Sequence, residues 1–195
     1  MAEVRMATAF WIVWAEIAKG HAVASECAYQ SHKCATTDRD EAGQQEFYSG
    51  LQAICAAAFA LDAACWEWGS KVIESKMYVQ WKATRKPFKR RFGETLKRSV
   101  TLTGPQIEAL LADCKPMIRM RGDAVHYVQR CEEPVQHRSG LYHTAPARVE
   151  YGGEAARAAV TVLQKVYRAV KDYPKPKLEK WSHDNVLSLE KIIEN

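Results

Sequence analysis

The sequence predicts an all-α fold: an antiparallel bundle of four to five long helices with a long loop before the last one. Three observations predict it. Apolar residues recur at three-to-four spacing along several long stretches. Short alternating runs of Val, Ile and Thr, which would mark half-buried strands, are nearly absent, while alanine, glutamate and lysine are common. Proline and glycine gather in one stretch, residues 132–153, as a long connection requires. With 195 residues, 47% of them apolar and 26% charged, the chain can bury a substantial core. The expected organisation is a helical domain over 1–173 and a C-terminal tail with a short helix over 174–195.

The first helix is expected over residues 4–33, with Phe10, Val13, Trp14, Ile17 and Ala24 as its buried stripe. Trp11 lies off that stripe, which suggests a second apolar face for the bundle interior or a dimer contact. The second helix is expected over 41–72. Its centre, from Leu51 to Trp66, is the most apolar part of the chain, and its small residues would let a neighbour approach closely. Asp62 is the one charge there, either facing solvent or buried against an arginine. Residues 75–85 read as less regular. Pro87 is suited to start a new helix carrying Phe88, Arg91, Phe92, Leu96 and Val100. Thr103, Pro105 and Gln106 give a capping-box-like start to the next one. Ile107, Leu110, Leu111, Cys114 and Ile118 carry that helix onward, and Pro116 should kink it. After the loop, with His137 and His143 expected as exposed polar residues, the last long helix spans 154–173.

The formal charge is +5 but unevenly spread. Lys82, Arg85, Lys86, Lys89, Arg90, Arg91, Lys97 and Arg98 face a single acid, Glu94, within one short segment, leaving the rest of the chain slightly negative. A solvated helix face would account for such a block. Its single sign and interleaved aromatics point instead to a polyanion such as RNA. The six cysteines form no C-x-x-C pair and are expected as reduced core residues of a cytoplasmic protein. No membrane-spanning stretch is expected, and Glu3, Glu16, Lys19 and His21 interrupt any secretory pattern. The sequence has no H-E-x-x-H, Walker loop, G-x-G-x-x-G or nucleophile elbow.

The stretch richest in chemistry is Arg119-Met120-Arg121-Gly122-Asp123-Ala124-Val125-His126-Tyr127. On an ideal helix Arg121 and His126 stand ~140° apart, while Arg119 and His126 nearly align. A histidine titrating near neutrality can move the protons of RNA transesterification. A guanidinium can brace the extra charge on a pentacoordinate phosphate, and Asp123 can orient either group. Equally, the residues alone describe an arginine–aspartate pair beside a histidine on a helix face.

At Arg121–Tyr127 the chain resembles the HEPN superfamily, whose signature is an arginine followed after four to six residues by a histidine, late in a compact helical bundle. The order of elements over residues 4–173 is similar as well. The resemblance implies a metal-independent endoribonuclease that needs no cofactor, of a kind often found as toxins or anti-phage defence effectors. It also implies a homodimer whose two motifs share a cleft, with an antitoxin or regulatory protein as a further partner. Arg121 and His126 match the family's pair, and Arg119 fits the long end of the allowed gap. A polar residue commonly follows the family's arginine. Gly122 stands there in this chain and the acid, Asp123, comes one later. The reading from residues keeps an alternative of another class: a non-catalytic helical module that binds nucleic acid or a partner protein.

Overall fold

Helical spacing in the sequence becomes helix along most of the chain. A computed structural model describes residues 9–34, 39–84, 87–125, 133–140 and 143–194. Among these residues the elements are α1 (Phe10–Cys34), α2 (Arg39–Val72), α3 (Ser75–Thr84), α4 (Phe88–Ser99), α5 (Gly104–Val125), β1 (Val135–Gln136), β2 (His143–Thr144), α6 (Pro146–Glu150), α7 (Gly153–Asp172), α8 (Pro176–Asp184) and α9 (Val186–Glu194). The fold is an all-α bundle, with α1, α2, α5 and α7 as its long members. The two short strands pair antiparallel.

The apolar α2 forms the centre, touching α1, α4, α5 and α7. Its alanines 53, 57, 60 and 64 are buried and leave room for close neighbours. By length and mean hydropathy α2 could cross a membrane, contrary to the expectation that no stretch comes near this; 61% of its most apolar window is buried inside the bundle, as in a core helix. The buried face of α1 also differs from expectation. Trp11, Ala15, Ala18, Ala22 and Ser25 face inward, whereas Phe10 is 62% exposed and Val13 and Ile17 lie on the surface. The reason is steric: an alanine face meets the alanine-rich α2 closely, and a stripe of large side chains would hold the helices apart.

At the start of α5 the Gln106 half of the anticipated capping box forms: the Thr103 backbone N–H and hydroxyl both donate to Gln106 Oε1 at 2.9 Å. The α5 helix continues through Pro116 as one element. Residues 75–84, expected to be irregular, form α3 with Trp81 buried. The C-terminal segment contributes Leu178, Trp181, Leu189 and Ile192 to the main core. Trp181 lies 5.5 Å from Trp11 and 5.8 Å from Trp68, and Tyr167 completes an aromatic cluster with both, so α1, α2, α7 and α8 meet there.

The expected long loop holds the hairpin and α6, and it is tied down by charge. His137 is 3% exposed rather than a solvated polar residue. Its Nδ1 accepts the Ser139 backbone N–H at 3.2 Å, which places the ring proton on Nε2, 3.4 Å from Glu46 Oε2. The other oxygen of Glu46 accepts from Arg138 Nε at 3.0 Å and from the Gly153 backbone at 3.2 Å. Glu26 of α1 pairs with Arg157 of α7 at 2.6 Å. A buried carboxylate is tolerable only with such partners. The cysteines likewise divide: Cys65 and Cys114 are buried, Cys55 is half-buried, and Cys27 and Cys34 are exposed. Exposed cysteines were not expected. The helical period places both on the outer side of α1, away from α2. Cys131 lies outside the described residues.

Candidate functional site

The helical turn of α5 decides where each motif residue goes. Arg119 and Arg121 are two residues apart, which turns their side chains ~200° from one another. Arg119 is exposed and donates to Glu150 Oε1 of α6 at 2.7 Å. Asp123, exposed, stands on the same side as Arg119. Burial pushes the neighbouring Tyr151 phenol up to about 12, the charges of Glu150 and Asp123 add to the rise, and Arg119 opposes it. Tyr151 donates its hydroxyl to the Met120 carbonyl at 2.9 Å, fixing this side of α5 to the chain after α6.

Arg121 points the other way, toward α2. Its guanidinium lies 5.0 Å from the Phe59 ring centroid. Burial pushes the Cys55 thiol up from its ordinary value, and the Arg121 charge partly offsets this, so Arg121 runs beside that turn of α2. Among the described residues Arg121 has no carboxylate within salt-bridge distance. His126, the other half of the pair, lies outside the described residues, one position past the end of α5. The structure therefore places Arg121 but gives no geometry between it and His126, and it turns Asp123 away from Arg121.

A hollow of about 250 Å³ opens where α2, α4 and α5 meet, lined by Phe59, Asp62, Phe88, Arg91, Ile118 and Arg121 among others. Its floor is an ion pair: Arg91 Nη2 donates to Asp62 Oδ1 at 2.8 Å. The Arg91 guanidinium also packs 4.2 Å from the Trp66 centroid and 5.8 Å from that of Phe88. Asp62 thus combines the two readings open for it: it pairs with an arginine, yet its side chain is 40% exposed rather than buried. Arg91 has been drawn inward from the basic segment. A guanidinium suits such a place because it is weakly hydrated and stacks on aromatic faces.

The other described members of that segment stay at the surface. Lys82, Lys89, Arg90 and Lys97 are exposed and Arg98 is half-buried. Lys82 lies over the Tyr78 ring at 4.9 Å and over the Trp66 ring at 6.0 Å. Lys97 pairs with Glu108 at 3.3 Å, which partly neutralises it. Arg85 and Lys86 lie outside the described residues. Lys82 and Arg91 share Trp66, and Arg91 reaches on to Phe88, so cation–aromatic contacts link the basic surface to the hollow that Arg121 also lines.

Sequence reasoning did not find Phe59, Phe88 or Asp62 as neighbours of Arg121. Only Asp62 carried a signal, as a lone charge in an apolar run. It also missed Glu46, Arg138 and His137, whose meeting depends on the hairpin returning to α2 from 92 residues away. Among the described residues no three His, Cys, Asp or Glu side chains gather as a metal site requires. In comparisons with known proteins, no family model, curated protein or solved structure matches this chain.

Proposed function

We propose that this chain is a metal-independent endoribonuclease of HEPN type, working in the cytoplasm as a homodimer and serving as a toxin or anti-phage effector. One observation carries the reading. Arg121 is half-buried on Phe59, without an acidic partner among the described residues, at the end of α5 and five positions before His126. A guanidinium held on an aromatic ring and left without a carboxylate is available to a phosphate. The family resemblance of Arg121–Tyr127 and the basic residues Lys82, Lys89 and Arg90 support the same reading. So does the exposed apolar side of α1, which a second copy could cover.

In this reading the RNA 2′-oxygen attacks the adjacent phosphorus, the P–O5′ bond breaks, and the products are a 2′,3′-cyclic phosphate and a 5′-hydroxyl. His126 takes the 2′-hydroxyl proton, and the imidazolium so formed, or the second copy's, returns a proton to O5′. Arg121 braces the negative charge that builds on the equatorial oxygens. Asp123 orients the histidine. Arg119 and the basic segment guide the strand, and an antitoxin or regulatory protein would restrain the enzyme.

The test is cleavage of RNA by purified protein in EDTA, beside Arg121→Ala and His126→Ala. Cleavage should survive the chelator, leave a cyclic phosphate and fall by about 10²–10³-fold in each variant. Equal cutting by wild type and both variants would overturn the assignment. RNA binding without cutting, lost on neutralising Lys89 and Arg90, would identify the chain as a non-catalytic binding module. The exposed cations near Trp66 and Tyr78 favour that second reading.

A further inference from the structure

The stripe along the outer side of α1 carries no charge, although a solvent-facing helix side is where charged residues normally stand. The charged residues of the helix flank it instead. Glu16 pairs with Lys191, and Lys19 donates to the Lys191 carbonyl at 3.0 Å, both toward α9. Glu26 holds Arg157 of α7, and Lys33 lies over the Tyr29 ring at 5.0 Å. The members of the stripe alternate three and four residues apart. It begins with Phe10, Val13 and Ile17, all exposed. It continues with Gly20, Ala24, Cys27, Ser31 and Cys34, of which only Ala24 is partly covered.

That spacing is the a/d pattern of a coiled-coil seam, with its 3.5-residue period. The sizes along it are graded: large side chains fill the first half and small ones the second. The spacing also reads the same in either chain direction, with its centre between Gly20 and Ala24. Two copies laid antiparallel across that centre therefore match large to small: Phe10 against Cys34, Val13 against Ser31 and Ile17 against Cys27. Facing layers that pair large with small interdigitate. Gly20 meets Ala24 beside the two-fold axis, where crossing helices come closest. A parallel pair would set Phe10 on Phe10 at one end and Cys34 on Cys34 at the other, and the helices would splay. A membrane would favour large apolar residues along the whole stripe. The grading selects a second α1 running the other way.

We propose that the outer face of α1 is a homodimer interface in which two copies of the helix pack antiparallel about a two-fold axis. The inference rests on the homodimer named in the proposed function, whose contact surface it fixes, and it does not require that RNA be cut. It has a consequence for the arginine site. Trp14 flanks the stripe and packs 5.1 Å from Phe59, the ring that carries Arg121. An antiparallel pair brings equivalent flanks to one side, so both copies of Arg121 open on the same side of the dimer.

The experiment is analytical ultracentrifugation of the full chain, in reductant, over a wide concentration range. A reversible dimer is expected. Ile17→Glu puts a charge into the seam at a side chain that is exposed in the monomer, and should weaken the dimer at least about tenfold. Val79→Glu, at an exposed valine of α3 away from the stripe, should leave it unchanged. Circular dichroism checks that both variants fold. Direction is read from Ile17→Cys under mild oxidation, with the linked peptides mapped by mass spectrometry. The introduced sulfur should join Cys27 of the second copy. Within one chain the two positions stand ~15 Å apart along the helix, too far for a disulfide. A link from position 17 to itself overturns the antiparallel pairing. A dimer that survives unchanged in folded Ile17→Glu overturns the interface. So does a chain that is monomeric throughout, and co-sedimentation of that monomer with phosphatidylcholine vesicles would give the face to a membrane. Cleavage in EDTA is a separate readout: a dimer through α1 that cuts no RNA keeps this interface and loses the proposed activity, and a monomer that cuts RNA does the reverse.

Discussion

Two arginines of one motif have been given different surroundings by a turn of helix. Arg119 is solvent-exposed and already holds Glu150, an arrangement worth roughly 0–1 kcal/mol at a surface. Arg121 is half-buried on a ring, with no carboxylate at salt-bridge distance among the described residues. Side by side, Arg119→Ala should change RNA cleavage by no more than about threefold, while Arg121→Ala removes most of it, by the factor expected for a transition-state donor. Initial rates on one RNA substrate decide this, and the reverse order would make Arg119 the working residue. The sequence could name both arginines but could not separate them. On an ideal helix Arg119 aligned better with His126, and only the positions of Glu150 and Phe59, each far away in the chain, distinguish their roles. Gly122 is similar. Space around it is open, with nothing within 4 Å of a Cβ built there, so packing does not explain a glycine at that position.

Among the elements, α2 approaches the chain that follows α6 closely at Gly50. A Cβ at Gly50 would stand 1.8 Å from the Tyr151 carbonyl oxygen, a backbone atom that cannot swing aside. Tyr151 in turn holds the Met120 carbonyl of α5, so the glycine sets how closely the motif-bearing helix is braced. Gly50→Ala should therefore cost at least about 2 kcal/mol through overpacking, a fall in Tm on the order of 5 °C for a chain of this size. Thermal melts followed by circular dichroism test it, and an unchanged Tm would contradict the close approach. Helix positions were legible from apolar spacing because that signal is local. The buried side of α1 was not, because Phe10, Val13 and Ile17 fit a helical stripe as well as Trp11, Ala15 and Ala18 do. The choice between them belongs to the alanines of α2. How the 132–153 loop is anchored was not legible for a related reason: Glu46, which holds Arg138 and the Gly153 backbone, has no local mark in the sequence.

At the scale of the whole molecule, the interior stores groups that prefer to stay protonated. Burial pushes the Cys65 thiol up to about 11 and the Cys114 thiol up to about 12. In an unfolded chain a thiol ionises near ~8.5. A raised folded value means that the contribution to stability is complete below about pH 8. It is then lost as the pH climbs toward 11 and 12. Tyr151, pushed up to about 12, adds to the same trend. Tm should accordingly hold up to about pH 8 and decline above it, less steeply in a Cys65→Ala, Cys114→Ala double variant. A Tm that stays level up to pH 11 would show that these thiols are wetter than their burial implies. The all-α class itself was legible, since no strand pattern competed with it. That α8 and α9 join the core was not. Trp181 completes an aromatic cluster with Trp11 and Trp68, and no local pattern announces a meeting of residues so far apart in the chain.

The inward position of Arg91 has a consequence for how binding should respond to ionic strength. Each exposed cation that meets a phosphate releases a condensed counterion, and for single strands each such contact steepens the dependence of log K on log salt by ~0.7. Lys82, Lys89 and Arg90 can contribute in this way. Arg91, already neutralised by Asp62 2.8 Å away, cannot. RNA affinity measured from low to moderate salt should lose about one such increment in Lys89→Ala and again in Arg90→Ala. The slope should stay the same in a folded Arg91→Met/Asp62→Leu pair, even where affinity falls. A basic segment that looks continuous in the sequence would then behave as two things: an ionic surface sensitive to salt, and an inward arginine whose charge Asp62 already meets.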